Sequence, residues 1–471
     1  GVGDDEKNDG ARAFGAGDAA AFLAQALEPP APAAVASAIA TLREIGALSS
    51  RSSVVDHDGE EGIDGGGSLT PLGHHLASLP VDCRVAKMLV YGALLSCVSP
   101  TLTVAACLSY KSPFSEAARG PNGGSGADVY AARHALAKPN AGGLAAGEQS
   151  DHLVYAEAYR RWAAAVSEAE RSGGERAARD VGKRHALKHG LSLETLRHIA
   201  EMRGQYAALL RDAGFLQDSG SERSEKEKGP SERHDKRQTK ERCNAKAPFG
   251  WADDPRAPWN AEATSAPVAK AVLAAGLYAN VAALEEEASS NDAKADKIQS
   301  KTFSGSDLAR WRDAKGGIGV HASSVNAKLA RRGAAGLGAS IRYPSHPFLT
   351  FHEKVKTHRV FARDCTVVAP AALLLFGGEV EVKHESGRVC LDGWLWLRAS
   401  AQTAAVFRRA RAALDDALAA RVKEASFKEA RRSSKTKTHL RDDKKPAARE
   451  NDESGRQVVL AVRALLNDKT V

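Results

Sequence analysis

The chain lacks most of the features that mark secreted, membrane or metal-dependent proteins. No apolar run approaches the roughly 20 residues that a membrane-spanning helix needs, and no signal peptide is recognisable. The six cysteines form no CxxC pair and lie mostly in apolar runs, which is typical of reduced, buried thiols in a cytosolic or nuclear protein. The fifteen histidines form no HExxH or Cys/His ladder, so no metal site is predicted.

Catalytic signatures are missing as well. No Ser-His-Asp or Cys-His grouping can be argued from spacing, and no G-x-x-x-x-G-K-[ST] loop occurs. The Gly-rich run near Gly123-Gly124 leads into no Lys-Ser/Thr pair and follows no strand. We therefore predict no catalytic, cofactor-binding or metal-binding residue in this chain. It begins with Gly rather than Met, so we expect a fragment of a longer protein.

Length and charge limit the number of domains that the chain can form and the kind of partner that it can bind. Its 471 residues, 43% of them hydrophobic, suffice for about three domains at roughly 150 residues each. A net charge of +8 and a pI near 9.1 favour an acidic partner, with nucleic acid ahead of a membrane surface. Much of the charge lies in two polar tracts. Residues 217–262 are predicted to be a linker, and residues 423–456 are predicted to be a basic tail or insertion that could add non-specific nucleic-acid affinity.

The first half has helical periodicity. A helix before Pro29-Pro30 and a second helix after Pro32, ending at Gly46, precede a polar insert at about 50–67 and the segment LTPLGHHLASLP. Two helices, a wing-like loop and a short return strand describe a winged helix. The following helices are apolar almost throughout, which predicts a helical core, and residues 119–149 and 167–183 are predicted to be polar or Gly-rich inserts.

The stretch from His346 to Val382 has the composition of a small antiparallel barrel. Phe348–Val355, Arg359–Val367 and Leu373–Phe376 are predicted as three consecutive strands. Basic side chains mark the turn between the first two strands: Lys354, Lys356, His358 and Arg359. A cationic turn at the mouth of a barrel suits a phosphate backbone, although Lys and Arg at a strand end can also be solvated residues that block edge pairing.

The amino-acid sequences of these segments resemble those of one protein family. "FHEKVKT", "RDCTVV" and "LLLFGG" in the barrel, "LTPLG" before it, and "SDH" and "MRGQ" in the helices are similar to the C-terminal region of DEAH/RHA-type RNA helicases. The resemblance implies a multidomain α+β fold with long disordered insertions, in which a winged helix and a helical HA2 or ratchet domain precede a small antiparallel OB-type barrel. The expected parts are a disordered segment 1–17, the winged helix 18–81, the ratchet domain 82–216, a charged linker 217–262, the OB-fold domain with its C-terminal helix 263–425, and a basic tail 426–471.

The resemblance also implies where RNA would be contacted. Ratchet helices of the family lean on the nucleic-acid backbone, so His152 could lie at the RNA channel, or Ser150 or Asp151 could simply cap a helix whose first turn His152 fills. Arg203 and Gln205 lie off the apolar stripe of a later helix and are expected on its exposed side. The turn His321–Asn326 has hydroxyl, amide and imidazole groups that can bond phosphate or stabilise the turn itself, and Ala322 stands where the family usually has Pro. The predicted RNA-binding residues are Lys354, Lys356, Arg359, His321, Ser323, Ser324, Asn326, His152, Arg203 and Gln205.

Two functions remain open at this stage. The first is the auxiliary half of an ATP-dependent RNA helicase that binds single-stranded RNA and closes a channel against RecA-like domains in cis; ATP and Mg would bind in those missing domains, since this chain has no Walker A motif and no DEAH box. A protein activator could dock on the OB domain. The second is a stand-alone RNA-binding or adaptor protein without motor activity. A cytoplasmic location is expected, with the nucleus as the alternative.

Overall fold

The computed structural model describes residues 16–49, 68–115, 126–216, 250–285, 308–330, 342–357, 359–383, 387–434 and 447–468. The predicted insert at 50–67, residues 217–249 of the predicted linker, and His358 lie outside the described residues. The described part combines helical domains with a closed barrel, which confirms the predicted α+β class.

The N-terminal unit consists of α1 (Ala16–Leu23), α2 (Pro32–Ile45) and α3 (Pro71–Ala77). Helix α2 begins with Pro at its first position and ends at Gly46, whose φ of 84° only glycine adopts at little cost. The Thr70 hydroxyl caps α3 by accepting a hydrogen bond from the Gly73 amide, and Leu48 pairs with Leu69. The first two helices lie where the sequence predicts them, whereas the predicted return strand is limited to the Leu48–Leu69 bridge and is followed by α3, which was not predicted.

Five helices follow: α4 (Cys83–Leu94), α5 (Val98–Ser109), α6 (Gly126–Ala137), α7 (Asp151–Lys188) and α8 (Leu193–Asp212). Where they are described, the predicted inserts at 119–149 and 167–183 are largely helical. Helix α7 bends back on itself at Gly174 (φ 73°), so that 151–173 and 175–188 form a hairpin of two helical arms. Gly182 allows the second arm to approach closely enough for the Trp162 indole to donate a hydrogen bond to its carbonyl, at 3.3 Å.

Residues 250–262 are also folded, contrary to the predicted linker. Two short 3-10 turns, Trp251–Asp253 and Pro258–Asn260, pack on α5, where the Asn260 carboxamide accepts a hydrogen bond from the Ser99 amide at 2.9 Å. Helix α9 (Ala266–Leu277) then leads into the barrel. The tract is polar overall, but its two tryptophans supply the apolar surface that anchors this end.

The barrel is closed, with strand order β1-β2-β3-β5-β4. Its strands are β1 (Val281–Leu284), β2 (Trp311–Asp313), β3 (Gly316–Val320), β4 (Phe348–Lys356) and β5 (Val360–Val368). Strands β4 and β5 form the longest hairpin, in register from Phe348–Val368 to Lys356–Val360. The interior is filled by a compact set of side chains: Trp311, Ile318, Leu349, Phe351, Cys365 and Val367.

The third predicted strand, Leu373–Phe376, is instead part of helix α10 (Pro370–Phe376). A four-residue apolar run does not distinguish a buried strand from a buried helix, and Pro370 favours a helix start. A second sheet follows, formed by β6 (Val380–Lys383), β7 (Arg388–Leu391) and β8 (Leu395–Arg398).

The chain continues with α11 (Ala401–Ser434) and α12 (Ala447–Asn467). Helix α12 packs on α11 and α9, and its Arg463 pairs with Glu262 at 3.1 Å. The region predicted as a basic tail therefore includes a docked helix. Helix α11 also contacts the N-terminal unit, where the imidazole Nε2 of His75 lies 3.1 Å from the Leu418 carbonyl oxygen.

Candidate nucleic-acid interface

The predicted RNA-binding residues fall in three places: the tip of the β4–β5 hairpin, the turn after β3, and the ratchet helices. Only the first place is an exposed basic surface. We define the hairpin tip by Lys354, Lys356 and Arg359. In the β4–β5 register, Lys354 faces Ala362 and Lys356 faces Val360, so the tip extends about 16 Å beyond the Phe351–Cys365 pair.

The three cations of the hairpin tip differ in their pairing. The Lys354 ammonium forms an ion pair with Asp313 on β2. Burial acts to raise the pKa of Asp313, but hydrogen bonds from Lys354 and from the backbone amides of Lys315 and Gly316 outweigh it, so the pKa stays below its ordinary value. Within the described residues, Lys356 and Arg359 have no ion-pair partner and are exposed. They are the cations available to an external anion.

The turn after β3 and the start of α7 meet in a buried contact. The Ser150 hydroxyl caps α7 by accepting a hydrogen bond from the Leu153 amide at 3.1 Å. Next to it, the Asp151 carboxylate is fully buried and accepts three hydrogen bonds from the barrel. The donors are the Ser324 hydroxyl at 2.5 Å, the Val325 amide at 2.9 Å and the Cys365 amide at 2.8 Å. The segment predicted to touch RNA therefore joins the ratchet helices to the barrel.

Asn326 and the neighbouring residues extend this contact. The Asn326 amide group donates to the carbonyl oxygens of Gln149 and Cys365, at 3.3 and 3.0 Å, and Ser324 and Asn326 are both buried. His321 and Ser323 are half-buried and bond each other, with His321 Nδ1 2.8 Å from the Ser323 hydroxyl. Of the four predicted residues in this turn, Ser324 and Asn326 are thus occupied by the interface, and His321 and Ser323 are half-buried.

Sequence reasoning missed a second layer of the same interface. Arg133 on α6 is buried and donates to the Ser323 carbonyl at 3.2 Å and to the Asp364 carboxylate at 3.4 Å. The Tyr155 hydroxyl also donates to Asp364. Burial acts to raise the pKa of Asp364, but Arg133 and Tyr155 outweigh it and lower the pKa below the ordinary value. Asp364 lies in the "RDCTVV" segment and Tyr155 lies three residues after "SDH", whereas Arg133 lies where an insert was predicted.

His152 lies inside the protein rather than on a channel surface. Its ring is fully buried, and its Nδ1 is 2.7 Å from the Thr366 hydroxyl on β5. Burial, the largest cause, lowers the pKa of His152 to about 4, so the ring is neutral at pH 7. The placement corrects the hypothesis that His152 reaches RNA and agrees with the alternative in which it fills the first turn of α7.

Arg203 is a second correction. It is 4% exposed, and its guanidinium donates to the Ser99 carbonyl at 2.7 Å, bonds Thr103 and Asp253, and lies 4.5 Å from the centre of the Tyr159 ring. The residue lies off the apolar stripe of α8, yet the 3-10 turn that carries Asp253 covers it. A helix wheel cannot show a cover that comes from a segment 50 residues away.

Gln205 is exposed, as expected, at the edge of an open groove. The groove has a volume of about 1360 Å³ and lies between α2, the start of α4 and α8. Apolar side chains such as Leu42, Met202 and Leu209 form much of its lining, and His352 of β4 closes one side. Gln205 is therefore the one predicted ratchet residue that faces an accessible space.

Neither a metal cluster nor a membrane span is found in the described ranges. No group of three or more His, Cys, Asp or Glu side chains there could hold a metal ion. Across the same ranges, no helix is both long and apolar enough to cross a bilayer.

Three family profiles match consecutive parts of the chain. Residues 38–81 match the winged-helix helicase associated domain (HA2), residues 82–155 match the ratchet-like helicase associated domain (HA2), and residues 269–380 match an oligonucleotide/oligosaccharide-binding (OB) fold. The chain therefore carries the C-terminal helicase-associated domains of DEAH-type helicases, in the order that the sequence resemblance implies.

The relatives that match most of this chain are named as DExH or DHX helicases. The chain is 33% identical to the chloroplastic DExH-box ATP-dependent RNA helicase DExH4 of Arabidopsis thaliana, over 86% of this chain and 24% of that protein. It is 29% identical to the human ATP-dependent RNA helicase DHX29, over 84% of this chain and 22% of DHX29. It is also 29% identical to the human ATP-dependent DNA/RNA helicase DHX36, over 85% and 30% of the two chains. The chain thus spans between a fifth and a third of these relatives.

Proposed function

We propose that this chain is the RNA-holding auxiliary part of an ATP-dependent DEAH/RHA-type RNA helicase. It binds single-stranded RNA through the hairpin tip and closes the RNA channel against RecA-like domains in cis. Those domains would bind ATP and Mg and perform the hydrolysis. The matched winged-helix, ratchet-like and OB-fold domains support this proposal, since the relatives that share them have helicase names.

The observation that carries RNA binding is the pair of exposed cations at the hairpin tip. Lys356 and Arg359 flank the tight turn between β4 and β5 and, among described residues, have no anionic partner. A phosphate backbone supplies such a partner without displacing an internal ion pair. Lys354 would contribute less, because Asp313 already neutralises it.

The buried interface gives the hairpin a fixed base. Ratchet residue Asp151 and the β5 segment around Cys365 are joined by direct hydrogen bonds, so the barrel and α7 hold one relative orientation. An RNA strand held both in the groove beside Gln205 and on the hairpin tip would then keep one register while the RecA-like domains move. A protein activator could act on the exposed surface of the OB domain.

The direct test is fluorescence anisotropy of the chain with a labelled single-stranded RNA, titrated at several salt concentrations. Replacing Lys356 and Arg359 by Ala should weaken binding and flatten the slope of log K against log salt by about 1.4, at about 0.7 per phosphate contact. The matched control, Arg176→Ala with Arg179→Ala, removes two exposed cations from the second arm of α7 and should leave affinity and slope near the wild-type values.

The same titration separates the proposal from the adaptor alternative. Salt-sensitive binding that survives deletion of 435–446, a basic segment between α11 and α12, supports RNA contact by the folded domains. An unchanged slope in the hairpin variant would remove the hairpin tip from the RNA path. Absence of RNA binding in the intact chain would favour a protein-docking function.

A further inference from the structure

We propose that the outer face of the β6–β7–β8 sheet is a second surface that binds single-stranded RNA. It lies outside the hairpin tip and beyond the three predicted RNA-binding places described above. We define this surface, the sheet platform, by Lys383, Arg388, Trp396 and Arg398.

The sheet has two chemically different faces. Its inner face packs apolar side chains on the main core, where Val389, Leu391, Leu395 and Leu397 are buried. Side chains alternate along each strand, so the intervening positions point outward, and the exposed positions in β6 and β8 follow this alternation. The outward set comprises the platform residues together with Glu381 and Cys390.

Cross-strand register places three cations in one row. Lys383 pairs with Arg388, and Arg388 pairs with Arg398, so the three side chains lie side by side across neighbouring strands. Strands are about 4.8 Å apart, and like charges directly opposite each other destabilise a sheet. Glu381 offsets part of this charge through its contact with Lys383 at 3.6 Å. A phosphate backbone lying along the row would bring further anionic partners to these cations.

Trp396 gives the platform a site for a base. It lies two residues from Arg398 on the same face of β8, a spacing of about 7 Å, and its side chain is 46% exposed. Trp394, two residues earlier, is half-buried and packs against the core, whereas Trp396 does not. An exposed indole costs hydrophobic stabilisation, whereas stacking on a base would cover it.

These features together favour a single nucleic-acid strand over a protein or a membrane. The row of cations matches a backbone with regularly spaced phosphates, and one isolated aromatic ring beside it matches one stacked base. A membrane surface would require several exposed apolar side chains, and on this face Trp396 is the only exposed large one among the described residues.

The test uses the full chain and a labelled single-stranded RNA of about 20 nucleotides, long enough to reach beyond one OB-fold site. Trp396→Leu should weaken binding by about 5-fold or more, and Trp396→Phe should restore most of the affinity because a phenyl ring still stacks. A strand of the same length without bases should bind the wild type and Trp396→Leu equally. This comparison separates stacking from a general effect on folding.

The second experiment removes the positive charges of the sheet platform. Lys383→Ala, Arg388→Ala and Arg398→Ala together should flatten the salt slope by up to about 2, at about 0.7 per contact, with the smallest part from Lys383 because Glu381 already contacts it. The control removes three exposed cations from the second arm of α7, at Arg176, Arg179 and Lys183, and should change the slope little.

The outcomes for the platform and the hairpin tip are independent. Loss of affinity in the platform variants with an unaffected hairpin variant would support the platform and overturn the proposed role of the hairpin tip. Equal slopes in the platform variant and the α7 control, or equal affinities for Trp396→Leu and Trp396→Phe, would overturn the platform. Binding of an acidic protein with no change in RNA affinity would also overturn it.

Discussion

Replacing Asp151 by Asn should loosen the barrel from the ratchet helices. The Asp151 carboxylate uses both oxygens: Oδ1 accepts from the Val325 amide, and Oδ2 accepts from the Cys365 amide and the Ser324 hydroxyl. All three donors belong to the barrel. An Asn side chain keeps one oxygen and places an NH₂ group at the other position. In either orientation, one backbone amide faces a second donor and loses its acceptor.

The expected loss follows from the strength of these bonds. A buried hydrogen bond to a charged group contributes about 1.5–3 kcal/mol, and removing one member of a buried charged cluster costs about 3–5 kcal/mol. One effect opposes the loss: burial raises the pKa of Asp151, despite the nearby Arg133, so the carboxylate itself is costly to bury. We therefore expect Asp151→Asn to lower the free energy of unfolding by about 2–4 kcal/mol.

The assay is urea unfolding combined with hydrogen exchange of the Val325 and Cys365 amides. Ser324→Ala removes one of the three donors to the carboxylate and should cost about 1.5–3 kcal/mol. Asp180→Asn on the exposed arm of α7 is the matched control and should stay within about 0.5 kcal/mol of the wild type. The reasoning would be refuted by an Asp151→Asn protein that matches this control in stability while both amides keep wild-type protection.

The other buried and basic residues give three more expectations. The pKa of His152 is about 4 in the folded chain and near the ordinary 6.5 when unfolded, so the unfolded state binds more protons between these values. Stability should fall by up to about 3 kcal/mol as the pH drops from 6.5 to 4, and His152→Gln should remove this part of the pH dependence in urea unfolding; parallel profiles would contradict it. Arg203→Ala should cost about 3–5 kcal/mol in the same assay because it leaves Asp253 buried and unpaired, and a near-wild-type midpoint would disprove that role. In RNA titrations, Lys354→Ala should weaken binding less than Lys356→Ala, and the reverse order would contradict the pairing argument.

Local sequence signals were sufficient for much of the helical architecture. Pro at the start of α2, Gly46 at its end and the cap at the start of α7 each act within a few residues. Such signals depend on backbone geometry next to the residue itself, so they can be read without the fold. The sequence motifs then identified the order of the three domains, which the family profiles confirm.

Short or polar segments were predicted less well. The run Leu373–Phe376 is apolar on every side because α10 is buried all round, which removes the periodicity that separates helix from strand. The second arm of α7 is polar on its exposed side, and the small residues Ala178, Gly182 and Ala186 on its packed side give little hydrophobic signal. In both cases the amino-acid composition indicates only how buried or exposed the residues are, and tertiary packing determines which secondary structure they form.

The amino-acid sequence by itself determined the domain order, the helix ends and a basic turn between two strands. Only the tertiary structure decided which polar residues are accessible. His152 and Asp151 meet partners on β5 more than 200 residues away, and Arg203 is covered by a folded segment inside the predicted linker. Trp396 is exposed while Trp394 packs inside. The physical reason is that accessibility depends on what the rest of the chain places over a side chain, and no local pattern records such long-range contacts.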